Sequence, residues 1–321
     1  MANQTGPIAD LTYRTYDGVL FPPAMRWWVI AKMSMRMAIK KKGFWIWACL
    51  SGYWYFILSA IFYFADTIGQ RTVGGKNPIL AAIVWKDQFL TSFSMAQMFL
   101  LIITLLIGAG SIAGDNKANA LLVYLSKPCT KLDYLIGKWF GIFIPIALVT
   151  LAPMLLFYSY CLMSYRDYGF VSQDPWLILQ ILLMAAVPGF FHASLVIGVS
   201  SMFNQGRLAG ATYAAIYFLS NFGTIIFKGL LAMSERHGDG ANSSVLTNLF
   251  YCSIDGVNIG MAKVLLNSRG SLPIPGAGQG GRNFEVDVPN ALFMIFVFIG
   301  VSALAMLVAW RKVRAVEVVG S

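Results

Sequence analysis

Six apolar runs of about 20 residues, at positions 44–64, 89–113, 142–163, 177–203, 208–227 and 291–310, set the limits on what this chain can fold into. Each is long enough to cross a bilayer core as a helix. Lipid allows only helices or closed barrels to span it, because the backbone's polar groups find no water there. The runs lack the apolar and polar alternation over about ten residues that barrel strands require. The expected fold is therefore an all-α integral membrane protein with six transmembrane helices. Charged residues make up 12% of the sequence, half of the roughly 25% usual in soluble domains. An even number of spans places both termini on one face. Residues 1–43 contain no apolar core followed by a small-residue cleavage site, so the first span is expected to persist as an uncleaved anchor.

Orientation follows from the distribution of Lys and Arg, which favour the cytoplasmic side when they lie close to span ends. Of the 24 basic residues, 15 fall on the face shared by the N-terminal arm, the 114–138 loop, the 203–207 turn and the C-terminal tail. The opposite face holds nine, together with nine of the 14 acids. Both termini are thus expected in the cytoplasm, and the membrane is expected to be the plasma membrane, in a bacterium the inner one. The organisation read from this pattern is an arm at 1–43, a six-helix domain at 44–310 and a tail at 311–321. A formal charge of +10 calls for no nucleic acid, since juxtamembrane cations gain about 1 kcal/mol each from anionic lipid.

Within the arm, residues 25–42 interleave apolar and basic side chains at helical spacing. Trp27, Trp28, Met35 and Ile39 can share one face, opposite Arg36 and Lys40, as an interfacial amphipathic helix requires. The alternative is a solvated basic arm. The third run carries Pro145 and Pro153 and the fourth carries Pro188, so kinks are expected there. Residues 204–207 are too few for anything but an antiparallel hairpin. The largest connection, 232–290, is external in this scheme. It includes a helical pattern (Leu246, Leu249, Phe250, Val257, Met261, Val264, Leu265) interrupted by Asp255 and Gly256. An outer-face or re-entrant helix pair is expected there, followed by a Gly- and Pro-rich linker at 270–281. The four cysteines, Cys49, Cys129, Cys161 and Cys252, lack metal-site spacing. Cys161 and Cys252 both fall toward the outer face, where separate thiols are favoured over a disulfide.

Chemistry is conspicuous by what is missing. Ion-coupled carriers place ionisable groups within their spans, yet only His192 lies well inside one, where a neutral hydrogen-bonded role is expected. There is no Arg-rich voltage sensor and no TVGYG filter. Gly75–Lys76 and Gly137–Lys138 resemble the end of a phosphate-binding loop, but Gln70 and Leu132 replace its first glycine and Asn77 and Trp139 follow the lysines. Motifs of hydrolases are absent too. No catalytic or metal-ligating set is assigned, and the chain is not expected to be an enzyme. The simplest active role is the membrane half of a machine driven by another chain.

The stretch 114–138, GDNKANALLVYLSKPCTKLDYLIGK, is where such a motor would act. Asp115 can cap a short helix whose Ala118, Leu121, Leu122 and Leu125 form an apolar stripe at i, i+3, i+4 and i+7. Lys127 before Pro128 ends it, at a corner that begins at Ser126. Thr130 and Asp133 then form a T-x-x-D capping box ahead of Tyr134, Leu135 and Ile136. A short helix joined rigidly to a spanning helix converts a push into a tilt. The same pattern is compatible with an interfacial helix that merely packs on lipid.

This stretch resembles the signature of ABC-2 type transporter permeases, membrane subunits of type V exporter-like transporters. Their acidic residue, leucine run, "L-S-x-P" corner and "Y-L-L-G-K" close match Asp115, Leu121, Leu125, Ser126, Pro128, Tyr134, Leu135, Gly137 and Lys138. Asn119, Ala120 and Cys129 depart from the family's usual residues. The resemblance implies a coupling helix between spans two and three, a permease homodimer or heterodimer, and a separate ABC ATPase subunit. It also implies ATP and Mg bound by that partner, with no cofactor in this chain. Export of an unidentified substrate is the leading reading. A membrane scaffold that works with an ATPase at the outer face is the alternative, and an ion channel is a third.

Overall fold

The computed structural model describes residues 25–73, 77–120, 129–237, 240–269 and 286–313. Among the described residues the regular structure is helical throughout. Helix α1 (Arg26–Ile39) is followed by α2 (Lys42–Ser51) and α3 (Tyr53–Val73), which together give the first candidate span, Lys42–Gly69. Then come α4 (Trp85–Gly108) and a short α5 (Ala113–Lys117). Helices α6 (Lys131–Ser164), α7 (Leu177–Ser200) and α8 (Gly206–His237) supply the third to fifth spans. A helical pair, α9 (Gly240–Phe250) and α10 (Ile254–Leu266), precedes the last span, α11 (Ala291–Lys312). Among the described residues six helices are long and apolar enough to cross a membrane, and they are the six expected from the sequence.

Helix α7 is the axis of the bundle: 72% of its most apolar window is buried, and it packs on α4, α6, α10 and α11. The fifth and sixth spans bury only 12% and 11%. Their outer faces, with Leu219, Phe222, Ile225, Leu292 and Phe296 exposed, remain apolar surface fit for lipid or another protein. At one end of the bundle, Trp85 stacks on Tyr165 and meets Phe62 and Phe170 edge-on. At the other end lie α1, α5 and the N-terminal turn of α6. There Lys131 sits 4.7 Å from the ring of Trp310, near the end of the last span.

Helix α1 also carries a packing face that the sequence alone does not assign. Trp28 and Ile39 are exposed, while Ala31 and Ala38 are buried against α6. The cause is close approach. A Cβ at Gly137 would lie 2.7 Å from the Trp27 carbonyl oxygen, and one at Gly141 would lie 2.4 Å from Ser34 Cβ. Only glycine lets another backbone approach that near, so Gly137 and Gly141 of α6 seat Ile30, Ala31 and Ser34 of α1 as the seam. Trp27 flanks it, its ring 5.0 Å from that of Phe140. Arg36 and Lys40 are exposed.

The long fifth connection also differs in detail. Its helices break at Tyr251–Ser253 rather than at Asp255 and Gly256, which lie in the first turn of α10. Ser253 Oγ accepts from Gly256 N at 2.9 Å and so starts that helix. An acidic residue in a first turn is favoured by the helix dipole. Helix α10 does not lie on the surface. Val257, Asn258, Ala262 and Leu266 are buried, wedged among α4, α7, α8 and α11. Cys161 is buried and Cys252 exposed, and both are free thiols.

Candidate coupling site

The corner where the second and third spans meet is built from backbone breaks held by side chains. Helix α4 ends at Gly108, and the chain turns before α5. Ser200, at the end of α7, bridges this turn: its hydroxyl accepts from Ile112 N and Ala113 N at 3.1 and 3.0 Å and donates to Ala109 O at 2.8 Å. Asn116 Nδ2 donates to Phe203 O at 3.1 Å, tying α5 to the turn before α8.

Asp115 does not cap the helix that the sequence assigns to it. It lies inside α5, which ends at Lys117, and Asn119 then adopts a left-handed φ of 50°. Asparagine accepts that conformation readily. The helix expected to start at Asp115 is thereby interrupted at Ala118, which is exposed. Asp115 turns inward instead. Its Oδ2 accepts from Tyr134 Oη at 2.7 Å and pairs with Lys138 Nζ at 2.7 Å. Lys138 also donates to Ser111 O at 2.9 Å, and only 4% of the residue is exposed. One buried ammonium thus joins α6 to the preceding turn and to the carboxylate of α5.

The T-x-x-D box forms as predicted. Thr130 Oγ1 accepts from Asp133 N at 3.1 Å, and Asp133 Oδ2 accepts from Thr130 N at 3.0 Å. Beside it, burial, seconded by the Asp133 carboxylate, raises the Cys129 thiol above its ordinary pKa, with Arg26 opposing. Gly137 contributes the close contact with α1 rather than a polar group. Leu121, Leu122, Leu125, Ser126, Lys127 and Pro128 lie outside the described residues. What is brought together is therefore Asp115, Tyr134, Gly137 and Lys138, held by Ser111, Ser200 and Asn116, which sequence reasoning did not single out.

A second polar cluster lies inside the bundle. His192 is fully buried, with Nδ1 2.6 Å from Tyr213 Oη and Nε2 3.3 Å from Asn258 Nδ2. Asn258 Nδ2 also donates to Gln97 Oε1 at 3.0 Å. The arrangement fits a neutral imidazole carrying its proton on Nδ1, which leaves Nε2 to accept from the amide. Nearby, Asp255 Oδ2 accepts from Tyr217 Oη and Asn221 Nδ2 at 2.6 and 2.9 Å. Asp255 has no ion pair among the described residues, and its Oδ1 and the Oδ1 of Asn258 are buried without a hydrogen-bond partner. These groups link α4, α7, α8 and α10, and the expected role of His192 holds. Gln97 and Asn258 were legible only as isolated polar residues, although amides in apolar helices commonly seek one another.

Neither cluster gathers a metal site: no group of three or more His, Cys, Asp or Glu is placed to hold an ion among the described residues. Compared with known proteins, the chain matches the family described as ABC-2 family transporter protein over residues 28–267, three quarters of its length. The match runs from α1 to the end of α10 and takes in the whole coupling corner. No curated protein matches it significantly. With six candidate spans and a family match of that extent, the chain belongs to the ABC-2 transporter family and is a multi-pass membrane protein, the permease component of an ABC transporter.

Proposed function

We propose that this permease is an exporter subunit that works with a separate ATPase subunit, which binds ATP and Mg, and that residues 114–138 form the seat for that ATPase. The observation that carries the reading is the buried Lys138–Asp115 pair, with Tyr134 on the same carboxylate oxygen. It fastens the loop to the foot of α6, a helix 34 residues long. A displacement of the loop is then passed to the third span as a rigid lever rather than absorbed in a hinge. The positive bias of this face supports placing it, and both termini, in the cytoplasm. The apolar outer faces of α8 and α11 support a permease pair, as a homodimer or a heterodimer, bounded by lipid.

Docking is tested by co-purification with the ATPase subunit. Leu121→Asp and Leu125→Asp are expected to lower ATPase retention at least tenfold, because one desolvated charge in an apolar contact costs more than 1.4 kcal/mol. Retention equal to wild type by a folded variant would remove 114–138 as the seat.

A further inference from the structure

Between the end of α1, the first span and the proline-bearing part of α6 lies an apolar groove of about 390 Å³. Its size falls in the range of small-molecule pockets, about 300–1,000 Å³. Pro145 and Pro153 form part of its wall on α6, and Trp45, Ala48 and Gly52 face them from the first span. The frame is fixed. A Cβ at Gly52 would lie 2.9 Å from Pro153 Cβ, and Ser34 of α1 abuts Gly141. No lining side chain is charged, and the indole N–H of Trp45 already donates to Ile39 O at 2.9 Å. The groove therefore offers nothing to a polar ligand.

Its surroundings are the opposite. Ile39 and Phe44 line the groove, and the turn between them carries Lys40, Lys41 and Lys42. Lys41 Nζ is engaged by Leu106 O at 2.6 Å, whereas the side chains of Lys40 and Lys42, and of Arg36 one turn earlier, are exposed. No acid occurs between Asp17 and Asp66 to balance them. A ligand suited to both parts has an apolar chain and an anionic head.

We infer that this groove is a binding site for an anionic phospholipid, with one acyl chain between α1, the first span and α6 and its phosphate at Lys40 and Lys42. Zwitterionic lipid satisfies the chain but gains less from the lysines. A bound chain would brace α1 and the first span against the helix whose foot carries Tyr134 and Lys138. The site itself does not depend on how that helix is driven.

The test is native mass spectrometry of the full chain after exchange into micelles with equal phosphatidylglycerol and phosphatidylcholine. One phosphatidylglycerol per chain is expected, preferred roughly thirtyfold from two lysines near the lipid surface. Lys40→Gln with Lys42→Gln should bring the preference toward unity, and Ala48→Phe should remove both lipids. Should Ala48→Phe fail to fold, the wild-type protein still answers. Alkylation of Cys49, which lines the groove, should be slowed by phosphatidylglycerol and much less by phosphatidylcholine. Equal retention of the two lipids by wild type, unchanged retention in folded Ala48→Phe, or a dimer that Ala48→Phe dissociates would each overturn the assignment; the last outcome would give the groove to a second copy of the chain.

Discussion

Asp115 and Asp255 are two carboxylates largely withdrawn from water, and they are stabilised in different ways. Asp115 has a buried cation 2.7 Å away and a tyrosine hydroxyl on the same oxygen. Among the described residues Asp255 has a hydroxyl and an amide but no cation, and one of its oxygens has no partner. The difference separates two uses of polarity inside an apolar bundle. A paired charge locks two backbone segments together, because removing either member strands the other. A carboxylate held by neutral donors joins helices with no opposite charge to strand.

The largest effect should come from breaking the pair. Lys138→Met leaves the Asp115 carboxylate without its cation and is expected to cost about 3–5 kcal/mol in thermal or denaturant unfolding of the detergent-solubilised protein. Restoring neutrality with Lys138→Met plus Asp115→Asn should recover most of the loss. A silent Lys138→Met would mean that the pair does not hold the corner.

Asp255→Asn is the matching experiment on the other side. The amide oxygen can still accept from Tyr217 and no opposite charge is stranded, so the cost should stay near 1 kcal/mol, that of a single altered hydrogen bond. Destabilisation equal to that of Lys138→Met would erase the distinction. Smaller still and local, Thr130→Ala should cost about 0.5–2 kcal/mol as a lost N-cap. It should show as faster amide hydrogen exchange in the first turn of α6, with α10 unaffected.

These contrasts also mark where sequence reading succeeds. Span positions were legible because length and hydropathy suffice for a helix in lipid, and the box at Thr130 was legible because capping is local. Asp115, Tyr134 and Lys138 of the corner were singled out, yet the partnership of Asp115 with Lys138 was not, since it depends on how two chain segments meet rather than on spacing. The packing seam of α1 was not legible for the same reason: Gly137 and Gly141 on another helix set it. His192 was read as neutral and bonded, while Gln97 and Asn258 passed unnoticed because each becomes meaningful only beside the other.

The central claim is that the Asp115–Lys138 lock transmits the ATPase stroke to the third span. It is tested most directly by reconstituting the permease with its ATPase and comparing ATP-driven substrate movement in Lys138→Met and Asp255→Asn, below the unfolding temperature of both. The account predicts that folded Lys138→Met still binds the ATPase but loses transport, while Asp255→Asn keeps it. Transport at the wild-type rate by Lys138→Met would contradict it.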